Sequence, residues 1–292
     1  MTSPLTWATD GRDWPHRAHS HFVAAGGLHW HVQRMGSGPP VLLLHGTGAS
    51  THSWRDLMPR LAEQFALIVP DLPGHAFTER AYGAGLSLAG MAQGVSALLK
   101  ALDVAPVAAV GHSAGGAVAI RMALDGGLAP RGIIGLNAAL LPFPGMAGQL
   151  FPTVARLLFA NPLSALLLSR RAMNRDAIAR VIAGTGSRLD AEGLDLYAKL
   201  FRNSAHVAAV LGMMSKWDLD GLTQALPHLE VPLALMVGGR DKAVPPADAQ
   251  VVAAKVKHTT ITPLPGLGHL AHEEAPAQVA GLIADQISRW IG

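Results

Sequence analysis

The 292-residue chain contains no cysteine, so disulfide staples and thiolate metal sites are excluded, and residue usage leaves the redox compartment open. Charge is sparse as well. Asp, Glu, Lys and Arg make up 15% of the residues, the net charge is +3, and no block of Lys/Arg stands out. A nucleic-acid partner is therefore not expected. Nowhere is there an apolar run of 18 residues. The nearest approach, residues 157–169, is broken by Asn161-Pro162 and flanked by Arg156, Arg170 and Arg171, so no membrane-spanning helix is expected. The first 20 residues lack a basic start followed by an apolar stretch, which argues against a signal peptide. These absences together suggest a cytoplasmic protein and leave peripheral membrane contact open.

Half of the residues are hydrophobic, enough for a sizeable core. Short apolar runs recur, each ending in turn residues: 28–35, 41–46, 66–71, 107–112, 132–137, 233–238 and 259–266. The continuous ones read as buried parallel strands. Helix-length segments separate them at 53–64, 86–102, 114–125 and 276–291. This alternation predicts an α/β fold with a mostly parallel, doubly wound sheet, in which active residues gather at the carboxyl ends of the strands. The alternation stops between Asn137 and Leu233. Residues 138–220 show helical periodicity broken by prolines, a helix over 176–183 stopped by Gly184, and Ser204 as the cap of a further helix. The expected organisation is a core of residues 1–137 and 221–292, an N-terminal arm over 1–20, and a helical lid inserted at 138–220.

Gly111-His112-Ser113-Ala114-Gly115 lies at the junction of a predicted strand and a predicted helix. A G-x-S-x-G turn of this kind holds a serine in a strained conformation, and side chains at the glycine positions would collide with each other and with the neighbouring strand. The same residues could form an ordinary turn, but the strand-then-helix context favours a nucleophile. A serine needs a base. His269 and His272 both follow the last strand, and His269, directly after Gly268 in a loop, is preferred; His272 then reads as a supporting or exposed residue at a helix start. Asp241, past the strand at 233–238, is the acid that would orient the base. Asn137, at the alternative acid position, cannot carry the charge, and Asp218 and Asp220 are weaker candidates. The oxyanion of a tetrahedral intermediate would be held by the N–H of Ala114 and of Thr47, with Gly48 next. His45 is read as bonding the loop rather than as a base. His16, His19, His21, His29 and His31 cluster near the N-terminus without a ligand pattern, so no metal or other cofactor is expected.

These segments resemble the α/β-hydrolase superfamily along nearly the whole chain. LLLHGTGASTHSW is similar to its oxyanion loop, VPDLPGH to the next strand and turn (with Ala76 where glycine is usual), and GHSAGG, GGRD and GLGHLAHEEAP to its three catalytic segments. The resemblance implies a Ser113–His269–Asp241 triad. It departs from the epoxide hydrolases and haloalkane dehalogenases of the superfamily, which use an aspartate nucleophile. DGRDWPHRAHSHFV, the segment from HWHVQRM to HSWRDL, GLNAALLPFPG and LGMMSKWDL resemble more narrowly the hydrolase-like magnesium-chelatase accessory family of bacteriochlorophyll biosynthesis. That narrower resemblance implies a tetrapyrrole context, linked to photosynthesis, and contact with a magnesium chelatase.

Residues 138–220 carry nine Lys/Arg against six Asp/Glu, with Met213, Met214 and Trp217 close together. Such a surface suits a large apolar ligand bearing carboxylates, an anionic membrane face, or simply a core edged by solvated arginines. Met213, Met214 and Trp217 are therefore the candidate substrate-binding residues. Two functions are compatible with the chain: ester hydrolysis on an apolar substrate, with a tetrapyrrole ester in view, or non-catalytic binding and delivery of a porphyrin. A generic carboxylesterase or C–C bond hydrolase is a further alternative.

Overall fold

A computed structural model describes residues 4–142, 158, 162–171 and 175–292. Eight strands form one sheet: β1 (Ser20–Ala25), β2 (Leu28–Met35), β3 (Pro40–Leu44), β4 (Ala66–Pro70), β5 (Ala108–His112), β6 (Gly132–Leu136), β7 (Leu233–Gly238) and β8 (Thr259–Leu264). Their order is β1-β2-β4-β3-β5-β6-β7-β8. The ladders from β4 to β8 are parallel, while β2 is antiparallel to both β1 and β4. The seven expected strands are present. β1 was not foreseen, because SHFVAA is a half-exposed edge strand without a continuous apolar run.

The α-helices among the described residues are α1 (Trp7–Asp10), α2 (Met58–Leu61), α3 (Leu88–Ala101), α4 (Ala114–Leu124), α5 (Pro162–Arg171), α6 (Arg175–Gly184), α7 (Ala191–Phe201), α8 (Ser204–Ser215), α9 (Asp220–Ala225), α10 (Asp248–Ala253), α11 (Ala271–Glu274) and α12 (Pro276–Ile291). Alternate side chains of β3 show how the sheet divides the core. Leu42 and Leu44 face the cluster built with Met91 and Val95 of α3, while Val41 and Leu43 face the cluster built with Ile283 and Ile287 of α12. α12 has proline in its first turn and buries Val279, Ala280, Ile283, Ala284 and Ile287, a stripe at helical spacing.

Two local expectations are corrected. The helix read over 53–64 is a 3₁₀ turn (Thr51–Trp54) followed by the single turn of α2. Pro59 has no N–H to donate to the Arg55 carbonyl, and that carbonyl instead accepts from His16 Nε2 at 2.6 Å. Ser204 is the first helical residue of α8, and the cap is Asn203, whose Oδ1 accepts from the N–H groups of Ala205 and His206.

α5 to α8 lie between β6 and β7, and several contacts anchor this segment to the core. Tyr197 donates to Glu273 Oε1 at 2.8 Å, and Arg55, paired with Glu273 Oε2 at 2.7 Å, also reaches Asp190 Oδ1 at 3.5 Å. Burial pushes the Glu273 carboxyl up to about 7 against the pull of Arg55. No helix among the described residues is long and apolar enough to cross a membrane.

Candidate active site

β5 ends at His112, and Ser113 turns the chain into α4 with φ 51° and ψ −118°. A non-glycine residue at positive φ is strained, so the surroundings must hold it. The Ser113 N–H donates to Leu136 O, and its carbonyl accepts from Gly116 and Ala139. Close approach explains the flanking glycines. A Cβ on Gly111 would sit 2.4 Å from the Gly115 backbone, and one on Gly115 would sit 2.2 Å from the Leu44 carbonyl. One on Gly46 would meet the His112 ring at 2.8 Å and Ser113 Cβ at 3.0 Å, so the loop after β3 presses directly on the serine turn.

His269 Nδ1 donates to Asp241 Oδ2 at 2.7 Å, and both side chains are nearly buried. The other carboxylate oxygen, Oδ1, accepts from the N–H groups of Ala243 and Val244 at 2.8 and 2.9 Å. The acid is thus fixed by its own turn and fixes the imidazole in turn, leaving Nε2 as the free basic nitrogen. The His269 carbonyl accepts from His112 Nε2 at 3.0 Å, next to the serine, and from Asn137 Nδ2 at 2.8 Å. Asn137 also accepts from the Gly238 N–H at 2.6 Å. It therefore joins the ends of β6 and β7 to the histidine loop, a role that its position in the sequence did not reveal. Among the described contacts Ser113 Oγ has no hydrogen bond to His269, and such bonds often tighten only when substrate arrives.

His272 is wholly buried, stacked between Trp54 and His112 at ring separations of 4.9 and 4.4 Å. An exposed helix-start role is thereby excluded, and burial holds its pKa down to about 3. Asp218 and Asp220 are exposed, and Asp218 Oδ1 accepts the N–H of Asp220. His45 bonds the loop as expected: Nε2 accepts from the Leu72 N–H, so Nδ1 is the protonated nitrogen and donates to Gly46 O at 2.8 Å. His31, from the N-terminal cluster, is buried against Asp71 at 2.7 Å and Ser20 at 2.9 Å.

The N–H groups of Ala114 and Thr47 are not engaged by any described acceptor. Thr47 is exposed, and its hydroxyl lies 3.9 Å from Met213 Sδ. Met213 is itself fully buried in the core. Met214 lines an apolar cavity of about 410 Å³ with Leu168, Ile182, Tyr197, Phe201 and Leu211, and Trp217 packs half-buried against the core. Phe201 links cavity and site, since a Cβ on Gly48 would touch its ring at 2.9 Å.

The sequence matches the model of the alpha/beta hydrolase family over residues 41–282. The chain belongs to the α/β-hydrolase family. It is 40% identical over 275 residues to the magnesium-chelatase 30 kDa subunit of Rhodobacter capsulatus, covering 94% of this chain and 96% of that one. Among solved structures of the fold, the epoxide hydrolase CorEH superposes with a TM-score of 0.79 at 22% identity, covering 92% of this chain and 98% of the other. An esterase from Thermogutta terrifontis superposes with a TM-score of 0.73 at 23% identity, covering 93% and 98%. At such identities the likeness to these hydrolases concerns the fold alone.

Proposed function

We propose that this α/β hydrolase is a serine esterase with Ser113 as nucleophile, His269 as base and then acid, and Asp241 as the orienting acid. The observation that carries this reading is the buried 2.7 Å His269–Asp241 pair beside a serine held at positive φ. Ser113 Oγ attacks the ester carbonyl carbon and its proton passes to His269 Nε2. The oxyanion is held by the N–H groups of Ala114 and Thr47, one at the start of α4 and one on the loop after β3. Collapse expels the alcohol, which takes the proton from His269. Water, deprotonated by the same nitrogen, then releases the acid and Ser113.

The helices at 138–220 act in this reading as the lid, with the apolar cavity beside Phe201 taking a hydrocarbon part of the substrate. The resemblance of the arm and lid segments supports a tetrapyrrole ester as the physiological substrate, and the magnesium-chelatase subunit of Rhodobacter capsulatus supports contact with a chelatase. Ser113→Ala should abolish labelling by a fluorophosphonate and lower ester turnover by roughly 10⁴-fold or more, with folding unchanged by circular dichroism.

The relative's name as a chelatase subunit favours a second reading, in which the protein holds or delivers a porphyrin and performs no acyl chemistry. A wild-type protein inert to the label, together with normal pigment synthesis in cells carrying Ser113→Ala, would remove the first reading and leave this one.

A further inference from the structure

The loop that carries Thr47 is held by two imidazoles. His45, from the end of β3, donates to the Gly46 carbonyl, and Ala49 N–H donates to the same oxygen at 3.1 Å. The other imidazole is His206 of α8, in the helical segment between β6 and β7. Its Nδ1 lies 3.2 Å from the Ala76 N–H, which can only donate, so that nitrogen carries no proton. The proton therefore sits on Nε2, which donates to the Gly48 carbonyl at 3.2 Å. Thr47 thus lies between two glycines whose carbonyls are both fixed by histidine, and the Ala49 N–H, in the same peptide unit as the Gly48 carbonyl, bonds back to Gly46.

His206 is nearly fully buried, and burial lowers its pKa to about 4, so it is neutral and keeps this tautomer over the working range of an esterase. The turn it grips on the other side is the one where the sequence departs from the family, and Ala76 occupies the left-handed region there at φ 42°. That conformation is strained for an alanine, so something must hold it. Two more contacts from the same segment close over the loop. The Phe201 ring packs on Gly48, which has φ 79°, and Met213 Sδ lies 3.9 Å from the Thr47 hydroxyl.

We propose that His206 is a positioning residue for the oxyanion hole. Through the Gly48 carbonyl it fixes the Thr47 N–H, so the donor geometry depends on α8 being docked. This rests on the serine-esterase reading above, and it adds a residue of the insertion to the machinery of the core. His206 touches no reacting atom, and its effect passes through the loop.

The test compares wild type with His206→Ala, and with His206→Phe if the alanine variant does not fold, since phenylalanine keeps the ring without either polar atom. A removed oxyanion donor costs about 10²–10³ in kcat, and a misaimed one should cost about 10- to 100-fold. The expected result is a fall of that size in kcat for a p-nitrophenyl ester with KM within about threefold, and an equal loss of affinity for a trifluoromethyl ketone that mimics the oxyanion. His206→Gln, with one donor and one acceptor on its amide, should recover most of both. Amide hydrogen exchange at Ala49, whose N–H is bonded within the loop, should accelerate in the alanine or phenylalanine variant and not in the glutamine one. Unchanged exchange at Ala49 overturns the proposal whatever the kinetics show. Faster exchange with unchanged kcat overturns the positioning role. A wild-type protein that turns over no ester removes the esterase reading and the oxyanion role with it, while the exchange still decides separately whether α8 holds the loop.

Discussion

Asn137 ends β6 at φ 43° and uses both ends of its amide, donating to Gly268 O and His269 O and accepting from Gly238 N–H. Removing the side chain leaves a buried donor at Gly238 and weakens the hold on the histidine loop. Each unsatisfied buried polar group costs about 1–3 kcal/mol. Asn137→Ala should therefore lower the unfolding free energy by about 3 kcal/mol in urea titration and reduce ester turnover about tenfold or more. A loss under about 1 kcal/mol with full turnover would show that the bonds from His112, Glu274 and Ser187 suffice to hold the loop. Asn137→Asp keeps an acceptor for Gly238 but turns a carboxylate toward two carbonyls, so it should fare no better than alanine. At this scale the sequence was informative where chemistry is local. Ser113 stands out through glycines that steric contact demands. Asn137 and His206 stay hidden because their partners lie 131 and 158 residues away along the chain.

The elements show the same division. β3 to β8, α3, α4 and α12 are legible because each repeats an apolar period against a single sheet, and α12 coincides with its sequence pattern residue for residue. The arm, α1 and the broken helix at 51–61 are not, since tertiary partners decide them. The arm crosses from core to insertion: Trp14 donates to Thr51 Oγ1 at 3.0 Å, Gln33 Nε2 donates to Pro15 O at 2.6 Å, and Lys199 of α7 donates to Asp10 O and pairs with Asp13. Trp14 is 3% exposed and packs with Phe77, Leu196 and Leu200. The strength of this strap lies in its apolar part. Trp14→Ala should cost about 3–5 kcal/mol, as buried tryptophans do. Lys199→Ala breaks a largely exposed pair and should cost about 1 kcal/mol or less. Urea titrations of the two variants check the ranking, and a lysine effect equal to the tryptophan effect would contradict it.

Across the whole molecule the buried histidines set the response to pH. His45, His52, His75, His112, His206 and His272 are all buried, and burial lowers the pKa of each, to about 4 for His206 and about 3 for His272. In the unfolded chain a histidine takes up its proton near pH 6.5, whereas these six resist it when folded. Stability from them is therefore complete above about pH 6.5 and is lost as pH falls toward the folded values, at roughly 1 kcal/mol per pH unit for each group. Glu273 works in the opposite sense. Its carboxyl is raised to about 7, so its contribution is present below pH 4.5 and declines as pH rises through 7. One such group offsets only part of six. Thermal unfolding should therefore fall by more than about 10 °C between pH 7 and pH 5, and a flat profile would refute the assignment. His272 provides the sharper test, because both ring nitrogens are buried without a hydrogen-bond partner. Replacing it with phenylalanine keeps a ring against Trp54 and His112 and removes the titration. His272→Phe should gain stability over wild type, and the gain should grow as pH falls from 7 to 5. A gain independent of pH would mean that His272 takes up its proton in the folded protein as it does in the unfolded chain, and that burial does not lower its pKa.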